Sequence, residues 1–115
     1  MIFIDTGAFL ARFLAQDQFH ARAESSWRRL ESIPGNCFTS NFVLDELFTL
    51  LARRADYAFA AERARLLYSS RLLEILRPSS EDELRAVDFF EKFADQSVSF
   101  TDCISFALLK REKIK

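Results

Sequence analysis

The sequence predicts an α/β fold in which a short parallel sheet is flanked by helices. Three short segments, at residues 1–4, 37–39 and 73–76, are predicted to be strands, and each is followed by segments with helical spacing of apolar residues. The chain has only two glycines and two prolines, which leaves little room for the tight turns of an all-β fold. An alternation of strands and helices is what a parallel sheet with crossover connections requires.

The first strand leads directly into an acid. Residues 1–4 form an unbroken apolar run, which predicts a strand buried on both faces, and Asp5 follows at its carboxyl end. Thr6 is predicted to be the N-cap of the helix that follows. In open α/β sheets, ligands bind outside the carboxyl ends of the strands, so Asp5 is a candidate to bind a cation. The alternative is that Asp5 only caps the following helix.

The remaining helices follow from apolar periodicity and from capping residues. One helix is predicted to begin at Asp17 and to stop at Pro34 and Gly35. A second is predicted over residues 42–54, with Ser40 or Asn41 as its cap, and a third over residues 56–71. The last two are each predicted to begin at a capping box, formed by Ser80 and Glu83 and by Ser99 and Asp102. The inward stripes of the last two helices are predicted to be Leu84, Val87 and Phe90, and Phe100, Cys103, Ile104, Ala107 and Leu108.

A second candidate acid lies on the helix after the second strand. On a helical wheel, Glu46 falls between Phe42 and Leu50 on one flank of the apolar arc and is predicted to face inward, whereas Asp45 faces outward. A buried carboxylate is costly unless it is paired, protonated or bound to a metal. Glu46 is therefore either the partner of a buried arginine or a metal ligand.

The third candidate acid lies at the start of the last helix. Asp102 is predicted in the first turn, off the apolar stripe and toward Ser105. The helix dipole alone would explain an acid there, but the same N-terminus also suits a bound metal together with a phosphate. Asp95, in the preceding loop, is either an accessory acid or an ordinary loop residue.

Composition excludes several other classes of site. The formal net charge is −1, so nucleic-acid binding would depend on local arginines such as Arg53, Arg54, Arg63 and Arg65. Two isolated cysteines and a single histidine have no zinc-site spacing, and the cysteines are expected to be reduced, as in a cytosolic protein. No stretch approaches the ~18 apolar residues of a membrane span. We expect a soluble, cytoplasmic protein with no membrane association.

Asp5, Glu46 and Asp102 together suggest a site for a hard divalent cation. Mg²⁺ and Mn²⁺ take oxygen ligands and keep several waters, so a few carboxylates suffice without histidine or cysteine. A metal would relieve the repulsion between the acids, activate water and neutralise a phosphodiester. The hypothesis requires that the three side chains converge on one site.

Three segments resemble the PIN-domain ribonucleases, and in particular the VapC-type toxins of toxin–antitoxin systems. They are I-F-I-D-T-G-A-F-L at residues 2–10, T-S-N-F-V-L-D-E-L at residues 39–47 and S-F-T-D-C-I-S-F-A at residues 99–107. The resemblance implies a PIN-like three-layer fold. It also implies that Asp5, Glu46 and Asp102 are the catalytic, metal-binding acids, with Thr6 as an accessory hydroxyl; we add Asp95 and Ser105 as accessory candidates.

The resemblance further implies an endoribonuclease that depends on Mg²⁺ or Mn²⁺, forms a homodimer and is inhibited by a cognate antitoxin. Members of the family usually continue into another parallel strand, so a single domain over residues 1–115 is expected to lack its C-terminal strand. The alternative function is a catalytically impaired PIN-like module that binds RNA or a protein. An inert scaffold without metal affinity is a third possibility.

Overall fold

The computed structural model describes residues 2–31 and 37–113 and confirms the predicted α/β fold. The strands are β1 (Ile2–Phe3), β2 (Cys37–Ser40) and β3 (Leu73–Leu76). The helices are α1 (Thr6–Phe13), α2 (His20–Glu31), α3 (Asn41–Arg54), α4 (Tyr57–Ser69), α5 (Ser80–Lys92) and α6 (Phe100–Glu112), with a 3₁₀ helix at Ala94–Gln96. Within the described ranges, none of the helices is long and apolar enough to cross a membrane.

The sheet is parallel, with the strands in the order β1-β2-β3. The carboxyl ends of β1 and β2 are held together by two hydrogen bonds, from Ile4 N–H to the Phe38 carbonyl (2.7 Å) and from the Thr39 hydroxyl to the Ile4 carbonyl (2.8 Å). Because β1 is an edge strand, Ile2 is exposed, and the prediction that the whole first strand is buried was wrong. Ile4 is buried as predicted.

The side chains of the sheet alternate between two apolar clusters, which makes the fold three-layered. The larger cluster joins the sheet to α1, α3 and α4, and its fully buried members include Phe9, Leu44, Leu47 and Leu51. The second cluster joins the opposite side to α5 and α6 around Phe38, Leu76, Cys103, Ile104, Ala107 and Leu108. Four of the five predicted core residues of α6 are therefore buried; the fifth, Phe100, is half-buried.

The second helix begins later than its apolar spacing predicted. Asp17 does not start α2, because its carboxylate accepts the backbone N–H of Phe19 (2.9 Å) in a turn that precedes His20. Such local side-chain to backbone bonds compete with helix formation. The predicted stop at residues 34–35 lies outside the described residues.

The capping box of α5 is one residue earlier than predicted. It is formed by Ser79 and Asp82, not by Ser80 and Glu83. Asp82 is only 1% exposed and forms an ion pair with Arg111 of α6. The structure thus contains a buried acid paired with an arginine, but this acid is Asp82 rather than Glu46.

The predicted inward stripe of α5 was also wrong. Leu84, Val87 and Phe90 are 68%, 49% and 48% exposed. The face that packs against α6 instead contains Ala86, which is fully buried, and Phe89. A small residue at this position allows the two helices to approach closely, whereas the larger side chains are left on the outer face.

Candidate active site

Asp5 lies at the end of the edge strand and caps the helix that follows. Its Oδ1 accepts the backbone N–H of Ala8 (2.9 Å), so Asp5 rather than Thr6 is the N-cap of α1. Thr6 is the first residue of the helix and is buried. Asp5 itself is exposed. The capping alternative raised from the sequence is therefore real, but it uses one carboxylate oxygen and leaves the other able to bind a cation.

Asp102 lies in the first turn of α6, in the predicted capping box. Its Oδ2 accepts the Ser99 N–H (3.1 Å), and its own N–H donates to the Ser99 hydroxyl (3.0 Å). The Asp102 side chain is exposed. One turn later, the buried Ser105 donates its hydroxyl to the Thr101 carbonyl (3.1 Å). The capping box fixes the carboxylate of Asp102 at the positive end of the helix dipole.

Asp5, Asp102 and Ser105 line the same cleft, between the free side of β1 and α6. The cleft has a volume of about 300 Å³, and its other lining residues are Ile2, Phe3, Phe106 and Leu109. Two carboxylates that are 97 positions apart in the sequence thus share one surface depression, with a hydroxyl between apolar walls. The cleft is therefore lined by hard oxygen donors from both β1 and α6.

Glu46 is half-buried on α3 and does not line this cleft. The start of α3 is nevertheless packed against the start of α6, because the rings of Phe42 and Phe100 are in contact, with centroids 6.3 Å apart. Glu46 follows Phe42 by one helical turn, on the same flank of α3. Glu46 is therefore one helical turn away from the contact between α3 and the start of α6.

Asp95 does not line the cleft. It is exposed on the 3₁₀ helix that precedes α6, before Ser97, whose φ of 53° turns the chain back toward the helix. Among the accessory candidates, only Ser105 is a lining residue of the cleft.

The oxygen atoms that line the cleft are of the type that binds a hard cation, but they are too few to fill all of its coordination positions. Asp5 and Asp102 supply carboxylate oxygens, the ligand type that Mg²⁺ and Mn²⁺ prefer. In the part of the chain that the structure describes, no group of three or more Asp, Glu, His or Cys side chains is close enough to hold a metal ion. Two carboxylates with waters are compatible with Mg²⁺, which usually keeps several waters.

The two cysteines contribute no nucleophile to this site. Both are free and buried. Burial raises the pKa of Cys37, and burial together with the neighbouring charge of Asp102 raises the pKa of Cys103. Both thiols are therefore protonated at neutral pH, when only a thiolate would be reactive.

The apolar walls of the cleft were not predicted as part of the site. Phe106 and Leu109 follow Asp102 by four and seven residues, so all three lie on one face of α6. That spacing was a usable signal, but only the inward stripe of α6 was predicted. The structure gives α6 two faces, one toward the core and one toward the cleft.

Comparisons with known proteins agree with this architecture. Residues 2–115 match the PIN domain family. The chain is 32% identical to the 23S rRNA-specific endonuclease VapC20 of Mycobacterium tuberculosis, in sequences from two strains, over all of this chain and 85% of the relative. The crystal structure of M. tuberculosis VapC20, described as a sarcin–ricin loop cleaving toxin, superposes with a TM-score of 0.88 at 30% identity and covers 99% of this chain and 85% of that one. The chain belongs to the PIN-domain family, among its VapC-type toxins.

Proposed function

We propose that this protein is a metal-dependent endoribonuclease and the toxin of a toxin–antitoxin pair, with ribosomal RNA as its substrate. One observation carries the proposal: Asp5 and Asp102 line one cleft at the carboxyl end of β1, in a chain similar to a 23S rRNA-specific endonuclease. Ribosomal RNA is a cytoplasmic substrate, so we place its action in the cytoplasm.

Asp5, Glu46 and Asp102 are proposed to hold Mg²⁺ or Mn²⁺. Asp5 and Asp102 line the cleft, whereas Glu46 lies outside it and would have to turn its side chain toward the other two. When bound, a divalent cation supplies charge neutralisation for the phosphodiester and acidifies water. The protein contributes position: the hydrogen bonds to Ala8 and Ser99 fix one oxygen of Asp5 and one of Asp102. The dipole of α6 favours a phosphate at its N-terminus.

The accessory residues have positioning roles in this proposal. Thr6, buried directly after Asp5, anchors the first turn of α1 under the carboxylate. Ser105 lines the cleft, although its hydroxyl proton is committed to the Thr101 carbonyl, so its oxygen is available as an acceptor. Asp95 is proposed to act only through its charge, since it lies outside the cleft.

The proposal is tested by cleavage of a hairpin RNA in Mn²⁺. Asp102→Asn keeps a capping oxygen but loses the charge, and Asp45→Asn is the matched control because Asp45 is exposed beside Glu46. We expect cutting by the wild type and by Asp45→Asn, and at least about 100-fold slower cutting by Asp102→Asn. A catalytically impaired binding module, the alternative function, would retard the RNA on a gel without cutting it.

The proposed partners are a cognate antitoxin and a second copy of the chain. The outer face of α5 offers a surface for the second copy, because Leu84, Val87 and Phe90 form an exposed apolar stripe. Two antiparallel copies of α5 would bring Glu81 of one near Lys92 of the other, since these exposed charges lie at opposite ends of the helix. Sedimentation should show a dimer that Val87→Glu dissociates, and a monomeric wild type would contradict this part of the proposal.

A further inference from the structure

The hairpin of α3 and α4 contains a second surface groove, separate from the cleft of Asp5 and Asp102. Its volume is about 360 Å³. Its lining residues are Phe48, Thr49, Ala52, Arg53, Tyr57, Ala60, Ala61 and Ala64. Four of these residues are alanines, which lose no side-chain conformational entropy when a ligand covers them.

Tyr57 stands at one end of this groove as an exposed aromatic ring. It is 81% exposed, the highest value among the large exposed hydrophobic side chains in the described part of the chain. It is the first residue of α4, whose N-cap Asp56 accepts the Phe59 N–H (2.7 Å), so the neighbouring acid is directed at the helix backbone. An exposed aromatic ring at an apolar groove is suited to stack with an unpaired nucleobase.

The charge of the groove favours an anionic ligand. Arg53 is the only charged residue among the described residues that line it, and it is exposed. A guanidinium beside an aromatic ring can pair with a phosphate while the ring stacks with the attached base. A groove without carboxylates offers no partner to a basic peptide.

Arg53 lies on the same helix as Glu46, one of the proposed metal ligands. It follows Glu46 by seven residues on α3, which places it on the same flank, about 10.5 Å further along the helix.

We propose that the α3–α4 groove binds an unpaired nucleotide of the RNA substrate, with its base stacked on Tyr57 and its phosphate paired with Arg53. This inference depends on the proposed function, because it names a substrate subsite of that activity. Tyr57 and Arg53 are positioning residues, which hold the RNA and take no part in the bond cleavage.

The experiment measures binding separately from cleavage. Fluorescence anisotropy in EDTA follows a labelled single-stranded RNA of mixed sequence on the wild type, Tyr57→Ala, Tyr57→Phe and Arg53→Ala. Arg28→Ala is the control, because Arg28 is an exposed arginine of α2 that does not line the groove. We expect Tyr57→Ala to weaken binding by about 5- to 150-fold and Tyr57→Phe to retain it. Arg53→Ala should lower the slope of log affinity against log salt by about 0.7, whereas Arg28→Ala should leave it unchanged.

The same variants are then assayed for cleavage of the labelled RNA in Mn²⁺, where we expect a higher KM with kcat retained. Wild-type affinity and salt slope in both Tyr57→Ala and Arg53→Ala would overturn the inference, even if the wild type cleaves RNA. Conversely, the wild type could fail to cleave RNA while both variants bind RNA more weakly than it does. That result would support RNA binding in the groove and refute the proposed activity. Equal melting temperatures verify that these exposed substitutions leave the fold intact.

Discussion

The ion pair between Asp82 and Arg111 joins the start of α5 to the end of α6. Asp82 is almost completely buried, and the side chain of Arg111 is 32% exposed. Burial alone would raise the pKa of Asp82, but the hydrogen bonds with Ser79 and the charge of Arg111 outweigh burial and lower it. We therefore predict that Arg111→Met, which keeps the aliphatic stem but removes the charge, leaves a buried carboxylate with only its capping hydrogen bonds.

The expected cost of Arg111→Met is about 2–3 kcal/mol at pH 7. Breaking a fully buried ion pair costs about 3–5 kcal/mol. The cost is lower here because Arg111 is partly exposed, and water screens its charge. For a domain of this size, the loss corresponds to a decrease of about 8–12 °C in melting temperature. Lys110→Met is the matched control, because Lys110 is exposed on the same turn of α6 and should change stability by less than about 0.5 kcal/mol.

Urea unfolding between pH 7 and pH 3 tests the electrostatic origin of this cost. Because the pKa of Asp82 is lowered in the folded state, its contribution is complete above about pH 4 and is lost as the pH falls through the folded pKa. The difference in unfolding free energy between the wild type and Arg111→Met should therefore shrink toward pH 3. This reasoning would be refuted if the difference in unfolding free energy did not change with pH. It would also be refuted by a difference below about 0.5 kcal/mol, which is the usual effect of a surface substitution.

Three further predictions follow from the fold and the cleft. Thr39→Val removes the buried hydrogen bond to the Ile4 carbonyl and should destabilise the protein by about 1–2 kcal/mol in urea unfolding. Ser99→Ala removes one half of the α6 capping box and should cost about 1 kcal/mol in the same assay. Asp5→Asn keeps an N-cap oxygen, so in EDTA its melting temperature should equal or slightly exceed that of the wild type. Millimolar Mn²⁺ should raise the melting temperature of the wild type but not that of Asp5→Asn.

Much of the fold could be predicted from the sequence because its signals are local. The strand at residues 73–76 and the capping box of Ser99 and Asp102 were predicted at their observed positions. Both depend on short-range patterns. The strand is a short, mostly apolar segment that is followed by Pro78, and the capping box is a hydroxyl residue three positions before an acid. The same kind of signal failed at α5, where serines at two adjacent positions each had an acid three residues later.

The ambiguity at α5 could be resolved only by tertiary contacts. Asp82, which forms the capping box, also pairs with Arg111, which is 29 residues away in the sequence. For the candidate site, the sequence identified Asp5 and Asp102 as strand-end and helix-start acids, and the structure places both in one cleft. Burial of Glu46 was only partly predictable, since a helical wheel gives its direction on α3 but not the distance to its neighbours.

The most direct test of the central proposal is the rate of RNA cleavage by Asp5→Asn and by Asp102→Asn, each measured in Mn²⁺ beside the Asp45→Asn control. If the two acids that line the cleft act at one metal site, each substitution lowers the rate by at least about 100-fold, while binding of the same RNA in EDTA is retained. Cleavage at the wild-type rate by either purified variant would contradict the proposal.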